Sequence, residues 1–124
     1  IIPAFMQKDG VSIAFGIQSR FNQAQAHAQF VANIVDFGMN IQAALDAPRF
    51  NKSNSGCGVD IEAGYPLSTF AELFIRGHQV SVTPRYSLVM GKGNAVEHDD
   101  RLGVNFGASD PRTDGQATPE MMPF

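Results

Sequence analysis

The sequence predicts an α+β fold, a mostly antiparallel sheet packed by helices. Three observations carry this. Two apolar-rich runs are separated by Lys8-Asp9-Gly10, apolar residues recur at helical spacing over residues 23–37, and short alternating runs return from Val80 onward. The order reads as two strands, two helices, then strand, helix and several strands.

Residues 1–7 and 11–17 form the first two strands. Asp9-Gly10 between them is a hairpin signal, because such a turn needs positive φ at its central positions. Val11, Ile13, Phe15 and Ile17 alternate with small residues, so the second strand is expected to be covered on both faces. A polar turn follows, Gln18-Ser19-Arg20-Phe21-Asn22. The first helix then spans 23–37, with Ala24, His27, Phe30, Val31, Ile34 and Val35 at helical spacing. Gly38 is its stop, since glycine adopts the left-handed conformation at little cost. Asn40 is an N-cap for a short helix over 41–47, and Pro48 ends it.

Residues 52–58 read as a Ser/Asn/Gly loop and 59–63 as a strand. Pro66 opens a third helix with Leu67, Phe70, Ala71 and Phe74 on one face, and Gly77 stops it. Val80 and Val82 mark a strand. Residues 87–90 and 94–98 read as strands around a turn at Gly91-Lys92-Gly93, and 102–106 as one more. From Gly107 the composition turns to Asp, Pro, Gly and Thr, so 107–124 is expected to be a surface tail.

At 124 residues the chain is one domain or part of one. A charged content of 17%, a net charge of −3 and the lack of a Lys/Arg cluster argue against a nucleic-acid partner. No apolar run approaches the length of a membrane span. The chain opens Ile1-Ile2-Pro3 with no initiator Met, and is expected to be part of something longer. A soluble protein of cytoplasmic or periplasmic location fits this composition, and a single cysteine, Cys57, does not choose between the two.

No phosphate loop, dinucleotide fingerprint or nucleophile elbow is present, and Cys57, His27, His78 and His98 show no metal spacing. His27 lies on the apolar helix face and is expected to be a hydrogen-bonded core residue. His78 and His98 are expected at the surface, with no metal and no cofactor. The most interesting local geometry is Gln18 to Asn22, a turn leaving a buried strand and entering a helix. Two roles fit it: an N-cap by Asn22 beside an exposed Arg20, or a cradle for an oxyanion or carboxylate.

Two motifs go further. Asp36-Phe37-Gly38-Met39-Asn40, running on to Asp46-Ala47-Pro48-Arg49-Phe50, and Gly107-Ala108-Ser109-Asp110-Pro111-Arg112 with Asp114-Gly115 resemble the small subunit of the γ-glutamyltransferase (γ-glutamyltranspeptidase) family. Gly77-His78-Gln79-Val80 fits the same pattern. Phe21-Asn22-Gln23-Ala24-Gln25-Ala26-His27 resembles a divergent branch of γ-glutamyltransferase-like acyltransferases, which typically reads Gly-Gly-Phe-Met-Gln-Pro-Gln-Gly-His there.

The resemblance implies part of an N-terminal-nucleophile hydrolase fold, a four-layer αββα sandwich. It implies a precursor that cleaves itself into two subunits, whose new N-terminal Thr attacks an amide with its own α-amine as base. The acyl group then passes to water or to an amine. That Thr, and a serine pair that precedes the position of Pro3, belong to a segment upstream of this chain. No catalytic residue is therefore expected here. The family's Gly-Gly pair, whose backbone forms the oxyanion hole, matches Ser19-Arg20. Gln18, Ser19 and Arg20 are the candidates for an oxyanion or substrate wall, with Arg20 able to meet a carboxylate or oxyanion. A side chain there costs up to a few kcal/mol if φ is positive.

The chain is thus expected to be a single partial domain over 1–124, the C-terminal part of an enzyme acting on a γ-glutamyl or related acyl amide. Two rivals stand beside this: a catalytically dead relative with a binding or structural role, and an acylase of the same fold. The expected partners are the remainder of the precursor and a small acyl-amide substrate. The fragment alone is expected to be inactive and to self-associate.

Overall fold

The computed structural model describes residues 2–52 and 56–119. Ile1, residues 53–55 of the predicted loop and residues 120–124 of the predicted tail lie outside the described residues. The strands are β1 (Ala4–Lys8), β2 (Val11–Gln18), β3 (Phe50–Lys52), β4 (Gly58–Glu62), β5 (Gln79–Thr83), β6 (Lys92–Asp99) and β7 (Val104–Ser109). The helices are α1 (Gln23–Val35), α2 (Ile41–Asp46) and α3 (Leu67–Ile75). One sheet runs in the order β1-β2-β6-β7, antiparallel throughout. The other runs β3-β4-β5, with β3 antiparallel and β5 parallel to β4. The α+β expectation holds, and the one parallel pair follows from the crossover through α3.

The hairpin turn is as expected, with φ of +50° at Asp9 and +80° at Gly10. Ile13, Phe15 and Ile17 project from β2 onto Ala26 and Phe30 of α1 and Ile41, Ala44 and Leu45 of α2, with Ala95 and Ala108 beside them. On α1 the buried positions are Gln23, Ala26 and Phe30, while Ala24 and Val35 face outward. Gly38 turns the chain at φ +66°, and the Asn40 side chain accepts the Ala43 N–H at 2.8 Å to start α2. α3 begins after Pro66 and stops before Gly77, whose φ is +84°.

The far face of β2 is uncovered within this chain, as expected of a fragment without the rest of its precursor. Phe5, Ala14, Val96 and Gly107 form one row across the sheet, and all four are exposed. The apolar face of α3 is exposed as well, with Leu67 86% and Phe74 75% accessible. Small residues at β2 allow close approach of a second layer, but no described part of this chain supplies one.

Two expectations are corrected. Residues 87–90 are not a strand: Leu88–Met90 form a 3-10 turn, and Lys92 and Gly93 already belong to β6. Glycine is required there by close approach. A Cβ on Gly91 would lie 2.6 Å from Ser19 Cβ, and one on Gly93 2.9 Å from Ile17 Cγ1. Nor is 107–124 a surface tail throughout. Gly107–Ser109 end β7, and Asp110 and Arg112 are buried.

The reason is a buried ion quartet, Arg49, Glu62, Asp110 and Arg112. Arg49 Nη2 meets Asp110 Oδ2 at 2.7 Å, and Arg112 bridges Asp110 Oδ1 at 3.0 Å and both oxygens of Glu62. Each carboxylate oxygen accepts two hydrogen bonds. Backbone donors complete the sets: Arg49 and Ser87 on Glu62, Gly93 and Arg112 on Asp110. Arg112 spends its other N–H groups on the Leu45 and Ala47 carbonyls, and Arg49 reaches the Leu45 and Gly91 carbonyls. Burial and the neighbouring Arg112 work against the Arg49 charge and hold its pKa below the usual value, with Asp110 opposing them. Burial also penalises Arg112, but the Glu62 hydrogen bonds and the charges of Asp110 and Glu62 outweigh it and leave the pKa raised.

Removing one member of such a set strands a buried charge, which costs about 3–5 kcal/mol. Asp110→Ala in the full-length protein is therefore expected to lower the urea midpoint by an amount equivalent to that range. An Asp110→Ala midpoint within error of wild type would show that the quartet does not support the fold.

Candidate active-site wall

β2 carries its apolar side inward as far as Ile17 and ends at Gln18, which pairs directly with Lys92 of β6. The chain then leaves the sheet. Ser19 has φ −156°, and Arg20 turns back with φ +43°, inside the left-handed region. Arg20–Asn22 make a single 3-10 turn closed by Asn22 N–H donating to Ser19 O at 2.8 Å, and α1 follows at once.

These residues line a cleft of about 750 Å³. Its walls are the Gln18–Asn22 turn, Asn51 and Lys52 of β3, Asp60 of β4, Leu88 and Val89, and Lys92. The candidates Gln18, Ser19 and Arg20 thus share one cleft. Sequence reasoning missed Lys92, Asp60 and Asn51. Taking Gly91-Lys92-Gly93 as a turn placed Lys92 at a tip, when it stands opposite Gln18. The cleft carries the cations Arg20, Lys52 and Lys92 against the one acid Asp60. Lys52 Nζ is engaged with the Gly56 carbonyl at 2.8 Å.

Asn22 does not cap α1. Its backbone is helical and its side chain makes no capping hydrogen bond, although the residue is only 4% exposed. The helix start is instead supplied by the preceding turn. Arg20 is exposed, as the capping alternative had it.

His27 holds the end of β2. Its Nε2 accepts the Ile17 N–H at 2.9 Å, and its ring meets Phe15 edge-on at 5.3 Å. Burial lowers its pKa, and an amide donor needs an unprotonated Nε2, so the ring is a neutral packing residue. His98 is tied to Asn105 at 2.8 Å near the surface. Among the described residues no group of three or more His, Cys, Asp or Glu is placed to hold a metal ion. No helix among the described residues is long and apolar enough to cross a membrane.

Residues 1–120 match the family model described as gamma-glutamyltranspeptidase. The chain is 30% identical over 122 residues to the glutathione hydrolase-like YwrD proenzyme of Bacillus subtilis (strain 168), covering 94% of this chain and 23% of that protein. It is 31% identical over 114 residues to the acylase ACY 1 proenzyme of Pseudomonas sp. (strain V22), covering 91% of this chain and 19% of that protein. A cephalosporin acylase from Bacillus halodurans superposes with a TM-score of 0.79 at 39% identity, covering 88% of this chain and 20% of that one. The chain spans about a fifth of the length of these relatives.

The positive φ at Arg20 makes the turn a measurable source of strain. Left-handed backbone costs a side-chain-bearing residue about 1–2 kcal/mol, partly offset by the unfolded-state entropy of glycine. Arg20→Gly in the full-length protein should keep or slightly raise the thermal midpoint, whereas Arg20→Val should lower it by a few degrees. The reverse order would contradict the left-handed turn.

Proposed function

From a chain that belongs to the γ-glutamyltranspeptidase family, we propose that this domain forms one wall of an acyl-amide site in a larger, self-processed enzyme. The family is one of enzymes, and several relatives are named as proenzymes. The reaction proposed is transfer or hydrolysis of a γ-glutamyl or related acyl amide. Its nucleophile is an N-terminal Thr outside this chain. The observation that carries the reading is the cleft at the end of β2, where Gln18, Ser19 and Arg20 meet Lys92. The positive charges of Arg20 and Lys92 in its lining suit an acyl group or leaving group that bears a carboxylate.

Within that enzyme the ion quartet and the β2–α1–α2 core are scaffold. The row Phe5, Ala14, Val96 and Gly107, with the outer face of α3, is the surface that the rest of the precursor covers. Likeness to acylases, together with a side chain at Arg20, favours an acyl donor that differs from a simple γ-glutamyl group. Arg20 at a position suited to glycine also supports the dead-relative reading, so the assay below must separate the two.

The test is the full-length protein assayed on γ-glutamyl, glutaryl and simple acyl p-nitroanilides, with its subunits resolved on a denaturing gel. A processed protein that turns over at least one of these amides is expected. An uncleaved precursor without turnover would overturn the enzymatic reading and favour a binding or structural role. The isolated 1–124 chain should show no turnover and should self-associate through its uncovered apolar faces. A monodisperse monomer in light scattering would count against that surface.

A further inference from the structure

β3 is the edge of its sheet, and α1 closes that edge with two glutamine side chains. Arg49 O accepts the Glu62 N–H, so at alternate positions Phe50 and Lys52 turn their N–H and C=O groups away from β4. Gln29 Oε1 accepts the Phe50 N–H and Gln29 Nε2 donates to Phe50 O, both at 2.9 Å. Gln25 repeats this on Lys52, where Oε1 accepts the N–H at 2.9 Å and Nε2 donates to the carbonyl at 3.0 Å. The spacings match. Four residues of helix advance about 6 Å and two residues of strand about 6.6 Å, so i and i+4 of α1 meet i and i+2 of β3. Each carboxamide takes the place of one peptide group of a neighbouring strand.

The two ends of this clasp differ in what they hold. Asn51 and Lys52 line the cleft, and Phe50 does not. Gln25 also reaches Asn51, its Nε2 lying 3.4 Å from Asn51 Oδ1. Both N–H bonds of the Gln25 amide are thereby spent on this wall. Gln25 sits one helical turn beyond Asn22, which belongs to the opposite wall. One side chain thus joins the two walls. On the turn side, Ser19 Oγ and both ends of the Asn22 amide are buried without partners and offer a substrate nothing. Asn51 is only half-buried, and with its Oδ1 toward Gln25 its Nδ2–H groups are left for the cleft.

We propose that Gln25 is a positioning residue for acyl selectivity: by clasping Lys52 and orienting the Asn51 amide, it sets the width of the cleft and the donor an acyl chain meets. The inference rests on the acyl-amide reading of the cleft. Gln25 acts through Asn51 and Lys52 and does not touch substrate itself. Contacts of this kind hold substrate and transition state alike, so their loss raises KM and spares kcat. A clasp that served only to cover the sheet edge would matter equally at Gln25 and Gln29.

The experiment uses the full-length protein, the γ-glutamyl, glutaryl and simple acyl p-nitroanilides, and hydrogen exchange at the Phe50 and Lys52 amides. Gln25→Leu is expected to speed exchange at Lys52 and to raise KM for the preferred anilide, each about tenfold, with kcat within about twofold. Its preference among the three anilides should narrow by the same factor. Gln29→Leu should speed exchange at Phe50 and lower the thermal midpoint to a similar extent, while KM and preference stay at wild-type values. Gln25→Glu keeps the acceptor for the Lys52 N–H and loses the two donated bonds. It should raise KM less, and it decides the matter if Gln25→Leu fails to fold. Wild-type KM and preference in the Gln25 variants overturn the assignment. So does an equal rise of KM in Gln29→Leu, which would mark a general loosening of β3. Unchanged exchange at Lys52 in Gln25→Leu overturns the clasp itself. A wild-type protein that cleaves none of the anilides overturns the acyl-amide reading and this inference with it, whereas turnover with unaltered selectivity in the variants sinks the Gln25 assignment alone.

Discussion

The buried ion quartet ties both sheets and α2 together. Glu62 lies on β4, Arg49 just ahead of β3, and Asp110 and Arg112 just beyond β7. The four charges sum to zero and are 0–4% exposed. Such a set adds little net stability over an apolar replacement, because desolvation cancels most of the attraction. What it imposes is geometry. Two carboxylates with every oxygen doubly bonded, and a guanidinium spending all its N–H groups, accept one arrangement of the surrounding backbone. The last carbonyls of α2, the β6 entrance and the chain after β7 are thereby joined, so the two sheets cannot slide independently.

The cleft inherits that constraint through one short path. Arg49 holds the Gly91 carbonyl at 3.1 Å, and Asp110 holds the Gly93 N–H at 2.9 Å. Gly91 then presses on Ser19 so closely that no side chain fits between them. The turn at Ser19-Arg20 is therefore wedged from behind by backbone that the quartet has already fixed. Strain at Arg20 persists for the same reason: relaxing it would need the β6 entrance to move. A polar corner with unpaired buried atoms is stable only on a support that does not depend on those atoms.

The parts legible in the sequence were local. Asp9-Gly10 specified its turn, Asn40 its cap and Gly38 its stop, because each acts within a few residues. The 3.6 and 2 periodicities located α1 and β2, whose inner faces touch each other within this chain. The parts that were not legible depend on contacts distant in sequence. Asp110 and Arg112 have the composition of a solvated tail, and only their pairing with Arg49 and Glu62, some fifty residues or more away, buries them. β3 is three residues long, too short to show a period. Gly91-Lys92-Gly93 resembles a turn in isolation, since the need for glycine comes from Ile17 on β2 and from Ser19 just beyond it. At the cleft, Gln18, Ser19 and Arg20 were legible as a corner. The lack of any capping bond at Asn22 was not, because it is a matter of where one amide points.

This division explains why the motifs that carry the family resemblance lie apart from the proposed acyl-amide cleft. Ala47-Pro48-Arg49-Phe50 and Ser109-Asp110-Pro111-Arg112 supply quartet members, and a substitution in any of the four strands a buried charge at a cost comparable to much of a domain's stability. They cannot drift. Ser19-Arg20 is bounded differently. The exposed Arg20 lines a cleft, and the penalty is confined to that one left-handed residue, about 1–2 kcal/mol. A fold held by the quartet can absorb that amount. A side-chain change is therefore cheapest at the turn and dearest at the motifs, so a chain can match the family over nearly its whole length and still differ at the corner that lines the cleft.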